Sequence, residues 1–133
     1  MDALKIEATE DSPAVVFDPN GGQLSISGYS RPENAGKFYS PLLEWITKYE
    51  SVLFWIKEQK KGEKPLVFDF KLDYFNSTSA KYIMDIILVL NKLVEKGHSV
   101  QIRWHYDKRD DDMLDAGKEF ADMVQLKFDF IPH

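Results

Sequence analysis

A chain of 133 residues is long enough for one domain that buries roughly two-thirds of its unfolded surface, and too short for two. Its 44% hydrophobic and 29% charged residues exclude the disordered and membrane classes, and 22 acidic against 17 basic groups give a formal charge of -5 that repels a nucleic-acid backbone. The lack of cysteine excludes disulfides, thiol catalysis and iron–sulfur clusters, and the acidic opening residues match neither a signal peptide nor a membrane span, so a cytoplasmic protein is expected.

A short strand is expected near Leu4 to Ala8. Ala14-Val15-Val16-Phe17 and Leu24-Ser25-Ile26-Ser27 flank Asp18-Pro19-Asn20-Gly21-Gly22, whose residues tolerate the positive φ of hairpin turns, so an antiparallel hairpin opens the fold. From about Pro41 to Gln59, Leu42, Trp45, Ile46, Tyr49, Leu53 and Ile56 recur at helical spacing, which predicts a long amphipathic helix stopped by Gly62 and Pro65. Leu66 to Leu72 follows as a strand with Leu66, Phe68, Phe70 and Leu72 on one face. After a turn at Asp73 to Asn76, Ile83, Ile86, Ile87, Leu90, Leu93 and Val94 mark a second helix, ended by Gly97.

Val100, Ile102 and Trp104 alternate as another strand, and Asp110 to Val124 carries a weaker helical stripe through Met113, Gly117, Phe120 and Val124. Leu126 to Ile131 reads as a last edge strand. Strands alternating with helices imply an α/β sheet whose two central strands are parallel and joined by right-handed crossovers. Function in such sheets is grafted onto loops at the carboxyl ends of the strands, here Asp73 to Ser79 and His105 to Asp112.

The densest chemistry is Tyr74-Phe75-Asn76-Ser77-Thr78-Ser79-Ala80-Lys81, at the junction of a central strand and the second helix. Asn, Ser and Thr are the residues that cap the unpaired N–H groups of a first helical turn, so capping alone accounts for them. Phosphorylation is compatible with the same residues, because a phosphate at a helix start meets free N–H donors and the positive end of the helix dipole. Asp69 and Asp73 stand about 13 Å apart along their strand, too far for paired acid–base work on one bond. His98, His105 and His133 have no second ligand at metal spacing, and no phosphate-binding glycine motif or nucleophile elbow is present. The acidic run Asp110-Asp111-Asp112, with Asp107 and Asp115, suits a helix start.

Arg31-Pro32-Glu33-Asn34, Leu72 to Lys81, and Ile102-Arg103-Trp104-His105-Tyr106-Asp107, taken together and in this order, resemble the SiaC-type family of bacterial regulatory phosphoproteins. That family's fold is similar to the STAS domains of anti-sigma factor antagonists. The resemblance implies a STAS-like mixed sheet with an N-terminal antiparallel hairpin, two central parallel strands and about three helices, as a single domain over 1–133. It further implies a non-catalytic partner-switching protein with no cofactor and no metal. A cognate protein kinase adds phosphate at the start of the second helix, a PP2C-type phosphatase removes it, and the unmodified form binds a target such as a diguanylate cyclase. Such a module is tied to cyclic-di-GMP and biofilm control.

Carried over residue by residue, the acceptor directly after the motif Asn is Ser77, where the family pattern has Thr, and Thr78 is the alternative acceptor. Asn76, Ser79 and Lys81 frame the site, and Arg31, Glu33, Asn34, His105 and Tyr106 are the expected partner surface. Two rivals stand beside this reading: a constitutive protein-binding module whose loop only caps the helix, and a small-ligand-binding or enzymatic domain using His105 and Asp107.

Overall fold

The computed structural model describes residues 1–58 and 64–133. In chain order these form β1 (Leu4–Ile6), β2 (Ala14–Asp18), β3 (Gln23–Ser30), α1 (Ala35–Glu58), β4 (Leu66–Phe75), α2 (Ser77–Glu95), β5 (Val100–Tyr106), α3 (Asp111–Asp122) and β6 (Phe128–Pro132). One six-stranded sheet runs β1-β2-β3-β4-β5-β6. β1, β2 and β3 are antiparallel neighbours, and β3, β4, β5 and β6 are parallel, so the sheet is mixed with the opening hairpin expected from the sequence.

Strand alternation divides the sheet into two unlike faces. Phe17, Leu24, Ile26, Leu66, Phe68, Phe70, Leu72, Ile102 and Trp104 point to one face and are buried. Against them lie Tyr39, Leu42, Ile46, Tyr49 and Leu53 of α1 and Ile83, Ile86, Ile87, Leu90 and Leu93 of α2. α3 closes the same layer around Trp104, whose Nε1 donates to the Met113 carbonyl at 2.9 Å. Gly117 admits this approach, because a Cβ there would stand 2.5 Å from the Trp104 ring. The opposite face is polar, with Ser25, Asp69 and Arg103 side by side across β3, β4 and β5. Among the described residues, no helix is long and apolar enough to cross a membrane.

Two boundaries differ from the sequence reading in ways that shape the site. α1 begins at Ala35 and carries Pro41 inside it, instead of starting at Pro41. Asn34 is the reason: its Oδ1 accepts from Lys37 N at 3.0 Å and its carbonyl from Phe38 N at 3.1 Å, which starts the helix before the proline. Pro41 is exposed, and its missing N–H forgoes one helical bond, to the Lys37 carbonyl. The expected stop at Gly62, and the helix end at Gln59, lie outside the described residues.

The second difference is the expected turn at Asp73 to Asn76, which is strand as far as Phe75. β3 continues beside it, with Tyr29 opposite Tyr74 and Ser30 opposite Phe75, after a bulge at Gly28/Tyr29. Gly28 takes φ 104 there, a conformation that favours glycine. The β4–α2 connection is therefore Asn76 alone. The end of α2 agrees with the sequence: Gly97 at φ 91 donates to Val94 O, and His98 N donates to Leu93 O, the Schellman arrangement. Smaller shifts place β1 at Leu4–Ile6, α3 at Asp111–Asp122 with Asp110 as its cap, and β6 at Phe128–Pro132.

Candidate functional site at the start of the second helix

Asn76 sits in extended conformation between β4 and α2, and its Oδ1 accepts from Ser79 N at 2.8 Å. That bond caps the helix. The Asn76 carbonyl accepts the first helical bond, from Ala80 N at 2.9 Å, while Asn76 N donates to Ser30 O at 3.0 Å. Ser79 is fully buried and donates its hydroxyl to the same Ser30 carbonyl at 3.0 Å.

Because Asn76 and Ser79 complete the cap between them, Ser77 and Thr78 are not needed for it. Both are exposed, and among the described residues neither hydroxyl has a hydrogen-bond partner. The backbone N–H groups of Ser77 and Thr78 are the first two of the helix and have no carbonyl to bond within it. The spot therefore holds two free hydroxyls, two free donors and the positive end of a helix that runs from Ser77 to Glu95.

Thr78 also lines an open groove of about 970 Å³ together with Thr9, Asp11, Pro32, Glu33, Asn34 and Lys37. The fold thus brings Glu33 and Asn34 to the rim of the groove that Thr78 faces. Arg31 does not line the groove itself; it is tied by a 2.8 Å bond to Asp11, which does, and its guanidinium stands 5.6 Å from the Tyr29 ring centroid. Lys81 is exposed one turn into α2, 3.4 Å from Asp85 and 4.3 Å from the centroid of the Tyr82 ring.

His105 and Tyr106 are not part of this cluster. His105 lies on the polar face of the sheet, where its Nε2 is 2.7 Å from Asp69 Oδ1, and Tyr106 packs against the core. Arg103 holds the same carboxylate through two bonds of 2.7 and 2.9 Å. Asp107 is engaged by Arg109, which holds its carboxyl down at about 2. Each residue of the His105–Asp107 pair therefore has a partner other than its fellow. Among the described residues, no group of three His, Cys, Asp or Glu could hold a metal ion.

The buried Asp69 group makes stability depend on pH. Burial pushes its carboxyl up, but hydrogen bonds from Arg103 and His105 more than offset that and hold it below the ordinary carboxylate range. A carboxyl lowered on folding stabilises the native state above its unfolded value and loses that contribution as pH falls through the folded value. Urea midpoints should therefore decline as pH drops below about 4, and Asp69→Asn should flatten this acid limb while lowering the midpoint near neutrality. An unchanged acid limb in Asp69→Asn would assign the loss to other carboxylates.

Sequence reasoning missed two features: the Asp69–Arg103–His105 cluster, and the Ser30 and Tyr39 hydroxyls beneath Ser79. Tyr39 extends the same stripe as Leu42, Ile46, Tyr49 and Leu53, and Asn34 supplies a cap signal before it. Those two signals together would have moved the helix start to its observed place.

The family model described as SiaC family regulatory phosphoprotein matches residues 6–133. An uncharacterized protein of Pseudomonas aeruginosa (strain UCBPP-PA14) is 31% identical over 133 residues, covering 100% of this chain and 98% of its own length. The crystal structure of apo-SiaC from Pseudomonas aeruginosa superposes with a TM-score of 0.84 at 30% identity, over 98% of this chain and 99% of that one. The crystal structure of diguanylate cyclase SiaD in complex with its activator SiaC, from the same organism, gives a TM-score of 0.84 at 31% identity with the same coverage. A match this complete in both sequence and fold shows that the chain belongs to the SiaC family of regulatory phosphoproteins.

Proposed function

We propose that this protein is a single-domain, non-catalytic partner-switching protein that regulates a diguanylate cyclase and is itself controlled by phosphorylation of Ser77. The observation that carries the reading is the division of labour in the first turn of α2. Asn76 and Ser79 cap the helix, so the exposed Ser77 hydroxyl takes a phosphate without costing the fold a bond. The phosphate, with a charge of about -1.5 to -2, is received by free N–H groups and the helix dipole.

The target surface in this reading is the rim formed by Glu33 and Asn34 with Arg31 beside it, because Glu33, Asn34 and Thr78 line one groove and Arg31 is bonded to Asp11 of that groove. His105 and Tyr106 stand apart from that rim. A cognate kinase and a PP2C-type phosphatase set the phosphate level. The choice of a cyclase as target is supported by the similar SiaC, which is the activator of the diguanylate cyclase SiaD in their complex.

Peptide mapping of protein from native cells tests the reading, combined with cyclase assays on the diguanylate cyclase that co-purifies with the unmodified form. The expected result is a single phosphate on Ser77, lost in Ser77→Ala and kept in Thr78→Ala, with cyclase output raised by the unmodified protein only. A protein never phosphorylated under any growth condition, with no effect on cyclase turnover, would replace this reading with a constitutive binding module.

A further inference from the structure

Ser77, Thr78 and Ser79 are consecutive hydroxyls of similar chemistry, yet only Ser79 is withdrawn from solvent. Its surroundings form a short chain of hydroxyls contributed by three elements. Ser79 of α2 donates to the Ser30 carbonyl at 3.0 Å and accepts from Ser30 Oγ of β3 at 2.8 Å. Ser30 Oγ stands 2.5 Å from the Tyr39 hydroxyl of α1.

Each hydroxyl has one proton to give, and that count fixes the direction of the chain. Ser79 gives its proton to the Ser30 carbonyl and Ser30 gives its own to Ser79, so Tyr39 is the donor to Ser30. Burial pushes the Tyr39 phenol up by more than its Ser30 and Ser79 neighbours lower it, which keeps that proton in place at neutral pH. Every donor is satisfied, and all three side chains are fully buried. A buried polar network of this kind specifies one geometry.

The chain ends on the carbonyl that also accepts Asn76 N, at 3.0 Å. Asn76 and Ser79 are therefore both pinned to Ser30, and the two residues between them, Ser77 and Thr78, are held at both flanks. From this arrangement we infer that Tyr39, Ser30 and Ser79 are positioning residues: they present the Ser77 hydroxyl for phosphoryl transfer and keep Ser79 out of it. The inference rests on the regulated-phosphoprotein reading above. In the transfer, Ser77 Oγ bonds to the γ-phosphorus of ATP held by the kinase, the bond to ADP breaks, and the hydroxyl proton passes to a base of the kinase. A displacement of about 1 Å in a group held this way costs on the order of a hundredfold in rate.

Tyr39→Phe is the sharpest probe, because it removes one hydroxyl and leaves the ring stacked on Tyr82, where the centroids are 5.5 Å apart and the planes 1° from parallel. The assay uses the kinase activity fractionated from the source cell, with ATP, on wild-type and variant protein. We expect kcat to fall about tenfold or more with KM within about twofold, since Tyr39 is fully buried and its loss of a hydroxyl leaves the exposed surface unchanged. Peptide maps should show phosphate divided between Ser77 and Thr78. Ser79→Ala removes the next link and should repeat the kcat loss, which keeps the test open should Tyr39→Phe fail to fold. A folded variant with wild-type kcat, or a change confined to KM, overturns the positioning role. Wild-type protein that takes no phosphate overturns the function reading itself, and the positioning role with it.

Discussion

Phosphate on Ser77 is expected to weaken binding to the proposed cyclase target by about a hundredfold or more while leaving the thermal midpoint within a few degrees of the unmodified protein. Stability is spared because the phosphate replaces no native bond: Ser77 is exposed, and the cap belongs to Asn76 and Ser79. The N–H groups at the start of α2 and its dipole favour the added charge. Binding is not spared. A target seated in the groove lined by Thr78, Asp11, Glu33 and Lys37 meets a new charge of about -2 on the neighbouring Ser77, close to two carboxylates that already stand there.

Leaving such a charge without a partner costs several kcal/mol, and each 1.4 kcal/mol is tenfold in affinity, which gives the stated loss of about two decades or more. Titration calorimetry and thermal melts on the two forms separate the effects. Equal affinities would remove the electrostatic switch, and a collapsed midpoint would mean that phosphate acts by breaking the fold. Ser77→Ala should behave as the unmodified form under every condition.

Ile87→Ala or Leu90→Ala should destabilise the domain by about 2–5 kcal/mol. Both side chains are fully buried on the face of α2 that meets the sheet and α1, so truncation loses their transfer free energy and leaves a cavity in a layer that cannot collapse around it. Urea midpoints measure the effect, with an unchanged slope confirming that the denatured state is the same. A loss below about 0.5 kcal/mol would place these residues on a face the surrounding layer can repack. Leu88, between them in sequence, is 41% exposed, and its truncation should cost far less.

The order of elements, the opening hairpin, the parallel pairing of β4 with β5 and the helix at Ser77 were legible because each rests on local pattern. Alternating apolar residues such as Leu66, Phe68 and Phe70 define a strand face. The stripe from Ile83 to Leu93, closed by Gly97, defines a helix and its end. The grouping of Asn76, Ser77, Thr78 and Ser79 at that helix start was legible for the same reason, since capping is a property of neighbours in sequence.

The sequence by itself determined the fold class and the run of hydroxyls at the start of the second helix, because both follow from periodicity and from residue types at a strand-to-helix junction. Tertiary structure alone decided which of the three hydroxyls is withdrawn. Ser79 is removed by Ser30 and Tyr39, and Ser30 lies 49 residues away in the chain. It also decided that Glu33 and Asn34 share a groove with Thr78, while His105, equally suggestive in sequence, turns to Asp69 on the opposite side of the sheet. Such choices depend on strand register and on which residues of β3, α1 and β5 meet β4 and α2. No local preference encodes them, because a shift of one residue in register sends every side chain of a strand to the other face.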